Sequence, residues 1–179
     1  MMRRHAIKPQ DVLILFSVRL ADGGDWVVAE IANRACLSIS ETHAGMQRLE
    51  MSGLWDPVSR RIVLDAAEEF LLHGLRYVFP ASKGKVARGM PTAHSAPPLS
   101  ERIVSEAAES DTYVWPCAFG QSRGTSVQPL YKSVPDAAQK DPGMYEFLAL
   151  SDSLCIGRAR ERKIAAELLV EKLREGRGQ

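Results

Sequence analysis

The chain has 179 residues, 45% of them hydrophobic, with 23 basic and 22 acidic side chains and a formal net charge of +1. That is enough chain for one ordinary domain or two small ones with a hydrophobic core. No apolar run approaches the roughly 18 residues of a membrane span, and Met1-Met2-Arg3-Arg4-His5 precedes too short an apolar stretch for a signal peptide, so a cytoplasmic protein with no membrane partner is expected.

A first helix opens at Lys8-Pro9-Gln10-Asp11, where the missing N–H of proline is harmless, and Val12, Leu15, Phe16 and Leu20 recur at helical spacing up to Asp22-Gly23-Gly24-Asp25. Asp25 then caps a second helix from Trp26 to Ala35, with Val28, Ile31, Ala32 and Ala35 facing inward. A break at Cys36-Leu37 follows. Ser38-Ile39-Ser40-Glu41 has capping-box spacing and starts a third helix, whose Thr42, Met46 and Leu49 face the core while Ile39, Ser40, His43, Ala44 and Gln47 lie opposite. Ser52-Gly53 closes it.

Two short helices joined by a tight turn form a helix-turn-helix, whose second rod has the right width for a DNA major groove. Asp56-Pro57 and Ser59 supply turn chemistry between Leu54-Trp55 and Ile62-Val63-Leu64, so a short ribbon is expected there as a wing. Asp65-Ala66-Ala67-Glu68 caps a fourth helix with Ala67, Phe70, Leu71, Gly74, Leu75 and Val78 on its buried stripe, and Pro80 ends it.

This pattern resembles the winged helix-turn-helix transcriptional regulators, the superfamily that includes the MarR-like proteins. The resemblance covers residues 9 to 79 and rests on Ile31-Ala32, Leu37-Ser38, Thr42, Met46, Arg48-Leu49, Gly53-Leu54 and Arg60-Arg61. It implies double-stranded DNA as partner, commonly bound by a homodimer, with the third helix in the major groove. By resemblance the DNA-binding set is Ser38, Ser40, His43 and Gln47 on that helix, with Arg48, Arg60 and Arg61 holding phosphates. The turn position that often carries glycine is Cys36 here, and the wing is shorter than usual. Arg34 sits in the same stretch, and Arg3 and Arg4 form a basic N-terminal arm.

From Ala81 to Asp141, glycines and prolines recur too often for long helices, so a loop-rich extension is expected: draped over the first 80 residues, folded as a small irregular subdomain, or ordered by a protein partner. After Pro142 a helix restarts through Tyr145, Leu148 and Leu150, with Ser151-Asp152-Ser153 as a break or cap, and Arg158 to Arg174 forms an amphipathic terminal helix. That helix and the nearly apolar first helix offer surface for a two-fold dimer.

The expected fold is thus mainly α: a winged helix-turn-helix (α+β with a short two-stranded wing) over 1–80, a loop-rich extension over 81–141 and a helical segment over 142–179. The expected function is sequence-specific DNA binding as a repressor, with no catalysis, cofactor or metal. The competing reading is a protein-interaction component, such as an antitoxin or defence-system accessory built on the same scaffold.

Other motifs carry less. Gly120-Gln121-Ser122-Arg123-Gly124 matches a nucleophile elbow, but that motif requires a strand-to-helix turn and a later histidine, and no histidine follows His94. Ser82-Lys83-Gly84-Lys85 has Ser-x-x-Lys spacing without a helix to present both groups; Lys83, Lys85 and Arg88 read instead as a basic loop near phosphates. His94 with Cys117 does not make a metal site. His73 reads as a packed or half-exposed histidine. Cys36, Cys117 and Cys155, odd in number and without Cys-x-x-Cys spacing, read as reduced and mostly buried thiols.

Overall fold

The computed structural model describes residues 6–21, 25–103 and 112–175. It is mainly helical, with a two-stranded and a three-stranded sheet. Helix α1 (Pro9–Leu20) is central, and all eight residues from Asp11 to Val18 are buried. A helix apolar on every side must be enclosed on every side. Helices α2 (Val28–Ala35) and α3 (Ile39–Met51) cover one flank and the C-terminal helices the other, with Phe16 stacked on Phe147 at 4.7 Å between ring centroids.

Asp25 does not cap α2; Val27 is the N-cap, without a side-chain bond. The helix ends at Cys36 in the left-handed conformation (φ 53°), as the break before Leu37 implies, at a strain of roughly 1–2 kcal/mol. Ser38 then caps α3 reciprocally with Glu41: the serine Oγ accepts from the Glu41 amide at 3.2 Å, and the Ser38 amide donates to the glutamate at 3.4 Å. Gly45 lets α3 cross α1 closely, because a Cβ there would lie 2.2 Å from Ile14 Cδ1.

Strands β1 (Trp55–Asp56) and β2 (Arg61–Ile62) pair antiparallel as the short ribbon expected. The Asp56 carboxylate accepts from the amides of Val58 and Ser59, closing the turn, and hydrogen bonding by the Ser59 side chain together with these amides lowers its pKa. The fourth helix begins one residue before the Asp65 signal, after an N-cap at Val63, and its regular turns are interrupted: α4 (Leu64–Glu69) and α5 (Leu75–Val78) flank a π-helical turn over Phe70–Gly74. Ala67, Leu71 and Leu75 are buried as the stripe requires, while Val78 is exposed.

The loop-rich expectation for 81–141 is corrected by strands β3 (Lys83–Pro91), β4 (Tyr113–Pro116) and β5 (Ser122–Val127), which pair all round into a closed sheet. β3 is antiparallel to both others, and β4 and β5 run parallel. The glycines that look like breakers are where backbones touch: a Cβ on Gly120 would stand 2.1 Å from the carbonyl carbon of Gly89, and one on Gly124 would stand 2.3 Å from the Thr112 oxygen. Gly120→Ala is therefore expected to lower the unfolding free energy by about 3 kcal/mol, the upper end of the overpacking range. Urea titration measures it, and a loss under about 0.5 kcal/mol would contradict so close a contact. Helices α6 (Leu99–Arg102) and α7 (Val134–Lys140) complete this part.

Helix α8 (Pro142–Ile156) runs unbroken through Ser151-Asp152-Ser153, correcting the expected break there. The three polar residues are buried; Ser151 Oγ donates to the Phe147 carbonyl at 2.8 Å and so satisfies itself within the helix. Helix α9 (Ala159–Arg174) lays Ala165, Leu169 and Leu173 into the same core, packed chiefly on α8. Both proposed dimer surfaces, α1 and the apolar side of α9, are thus consumed within one chain. One hydrophobic core joins residues from Val12 to Leu173, with no gap at Pro80. The three cysteines are free and half-buried. No described helix is long and apolar enough to cross a membrane.

Candidate nucleic-acid interface

Capping by Ser38 and the tight crossing at Gly45 fix α3 rigidly against α1. Thr42, Met46 and Leu49 face inward as expected, and Ser38, Ser40, His43 and Gln47 are all exposed on the outer side. His43 and Gln47 are one helical turn apart and share the rim of a cleft of about 300 Å³ with Trp26, Trp55 and Arg60. Trp55 Nε1 is enclosed there without a hydrogen-bond partner among the described residues.

The cationic residues divide. Arg61 and Arg60 are exposed on the hairpin, Arg60 with a left-handed backbone (φ 56°). Its guanidinium lies over the Trp26 ring, 4.4 Å from the centroid, and donates to the Trp26 carbonyl, which ties the hairpin to the start of α2. Arg48 is a correction. It points inward, only 8% exposed, and clamps the fully buried Asp11 carboxylate through Nε at 2.7 Å and Nη2 at 2.6 Å. The position falls on the inner side of α3, next to Leu49, and a buried carboxylate on α1 captures it; that partnership raises its pKa further. With the Nε/Nη2 edge of its guanidinium taken by Asp11 and the side chain buried, Arg48 does not face outward toward a phosphate. Arg34 is likewise engaged, with Asp141 at 2.9 Å and the Ser17 carbonyl at 3.0 Å. Arg3 and Arg4 lie outside the described residues.

Residues 128–141 reach the same corner, as the draped alternative for the 81–141 segment expects, though neither Tyr131 nor Ser133 carries a sequence signal for its polar partner there. The Tyr131 hydroxyl donates to Glu41 Oε1 at 3.0 Å, and Ser133 Oγ donates to the Ala35 carbonyl at 3.0 Å. Hydrogen bonds from Ser38 and Tyr131 hold the Glu41 pKa below its usual value. Lys140 Nζ donates to the Asn33 side chain at 2.8 Å, and Lys132 is exposed beside Tyr131. Among the described residues, none covers the outer side of α3 at Ser40, His43 and Gln47.

The other motifs resolve simply. Ser122 opens β5 instead of standing at a turn from a strand into a helix, so it occupies no nucleophile elbow. Lys83 and Lys85 lie on β3, and Lys83 Nζ meets the Tyr113 hydroxyl at 2.5 Å. His73 is exposed. No cluster of metal-ligating side chains occurs among the described residues. His94 is buried against the Tyr113 ring, 5.0 Å between centroids.

A second locus carries unusual electrostatics. Asp152, 6% exposed in the middle of α8, accepts on Oδ2 from Thr92 Oγ1 at 2.7 Å and from Trp115 Nε1 at 2.6 Å. Burial nevertheless pushes its pKa up to about 7, and burial together with this carboxylate pushes the Cys155 thiol up to about 12. The available signal was the Ser-Asp-Ser run inside an otherwise apolar helix. Compared with known protein families, with curated proteins and with solved structures, the chain matches none.

Proposed function

We propose that the protein is a sequence-specific double-stranded DNA-binding regulator, a winged helix-turn-helix in which α3 enters the major groove and the β1–β2 hairpin is the wing. One observation carries this reading: the uncovered stripe Ser40, His43 and Gln47 on a capped helix held rigid by α1. His43 suits guanine N7 or O6 and Gln47 suits adenine N6 and N7, each worth about 1–3 kcal/mol of discrimination. Arg60 and Arg61 remain to hold phosphates, aided by Lys132 near the start of α3. Repression follows from occupying an operator, with no chemical step.

The loss of Arg48 from the phosphate set makes the electrostatics shallow. With two or three phosphates neutralised per copy, affinity should fall roughly ten- to fortyfold between 50 and 200 mM salt, from a slope of about −0.9 per phosphate. Selection of genomic fragments followed by anisotropy titration at both concentrations is the check. Absence of any preferred fragment, or a slope near zero, rejects the reading.

A second reading is favoured by one feature: Val27, Ile39, Met51 and Val58, exposed by 53–92%, surround the same face. Apolar residues grouped at an interface suit a protein partner on this scaffold better than a phosphate backbone. Ile39→Ser with Met51→Ser separates the two, since it would weaken a protein complex and leave the base-reading stripe untouched.

A further inference from the structure

A cavity of about 250 Å³ lies where the start of α1, the end of α5, the 79–82 link, the 128–130 loop and α8 meet. Its walls are mainly apolar, among them Leu75, Val78, Phe79, Pro129 and Leu130, with Asp152 as the one carboxyl group. Thr92 and Trp115 both donate to Asp152 Oδ2, and Oδ1 takes no hydrogen bond from any described residue. A mainly apolar cavity with a few polar groups, here the Asp152 carboxyl with Ser82, Gln128 and Ser151, has the composition of a small-molecule site, and this volume, just under the usual range of about 300–1,000 Å³, limits the occupant to a small one.

We propose that this cavity binds a small primary or secondary amine with an apolar body, its ammonium donating to Asp152 Oδ1. A cation is the matching chemistry because it supplies the charge that burial withholds from the carboxylate. Anionic ligands would face the same carboxylate as a like charge. Arg76 is the cation whose field reaches Cys155, and its guanidinium is drawn over the Tyr77 ring, 4.9 Å from the centroid.

The position of the cavity gives its occupant a route to α3. Pro129 and Leu130 line it, and the next residue, Tyr131, holds Glu41 in the α3 capping box while Ser133 holds the Ala35 carbonyl in the turn before it. An amine that displaces the 128–130 loop therefore strains the two bonds that anchor the start of α3. This regulatory consequence rests on the DNA-binding reading; the site itself does not.

The test needs no DNA. Full-length protein is titrated by calorimetry with benzylamine, cyclohexylamine and hexylamine, and with benzyl alcohol and benzoate as isosteres, while NMR follows the Trp115 indole N–H that donates to Asp152. Expected are saturable binding of at least one amine with a shifted indole resonance, at least tenfold weaker binding of the alcohol, no benzoate binding, and at least tenfold loss in Asp152→Asn. The indole shift in wild-type protein keeps the result readable if that variant folds poorly. No amine binding at millimolar concentration, equal binding of the alcohol, or binding without an indole shift overturns the site. Amine-dependent hydrogen exchange at the Ser38–Glu41 amides supports the route to α3, and unchanged exchange overturns it.

Discussion

Arg48→Met is expected to remove about 3–5 kcal/mol of unfolding free energy, the cost of stranding a buried charge without its partner. The Asp11 carboxylate is fully enclosed, and both of its oxygens are held by the Arg48 guanidinium. The double variant Asp11→Leu/Arg48→Met should recover most of the loss, because apolar replacement of a buried pair is often close to neutral. A residue of about 1 kcal/mol should remain, since Asp11 also accepts from the Lys8 amide at the start of α1. Urea titrations of the single and double variants provide the check. An arginine whose task was a DNA phosphate would behave oppositely, with stability unmoved and affinity reduced.

Asp152→Asn should make stability less dependent on pH, with a maximal effect of about 4 kcal/mol, taken from a pKa raised from 3.8 to about 7. The folded protein holds this proton where the unfolded chain has released it, so the raised value favours the folded state at low pH. That contribution is whole below about pH 4 and is lost as pH rises through about 7. The asparagine oxygen can still accept from Thr92 and Trp115, so the variant should match wild type near pH 4 and exceed it at pH 8. Tyr145 and Cys155, both pushed up to about 12, stay neutral over this window. Unfolding titrations at both pH values measure the difference; a gap that does not change with pH would assign the titration elsewhere.

Most of the first 64 residues were legible because their signals are local. The Ser38–Glu41 cap, the break at Cys36-Leu37, the Asp56 turn and the limits of α1 each follow from a few neighbouring residues and reappear in place. What failed was non-local. Arg48 could be placed on a helix but not beside Asp11, which lies 37 positions earlier. The apolar run of α1 suggested a dimer surface because nothing in it announces that α8 covers its far side. Gly120 and Gly124 looked like breakers because a backbone contact across a closed sheet leaves the same mark as a loop. Asp152 reads as a helix break or cap in the sequence because its donors, Thr92 and Trp115, are 60 and 37 positions away.

The ring of three mutually paired strands also restricts how residues 81–141 can be recognised. At the end where Gly89–Pro91 meet β4 and Tyr113–Val114 meet β5 the ring is closed, whereas Lys83–Arg88 of β3 pair with β5 alone. A visiting peptide finds no free edge at the closed end; the edge open to it runs along Lys83–Arg88, where Lys83, Lys85 and Arg88 place the charges that discourage strand addition. A protein that grips the closed end must do so through side chains and loops, and a peptide that pairs along Lys83–Arg88 should need acidic side chains to do it.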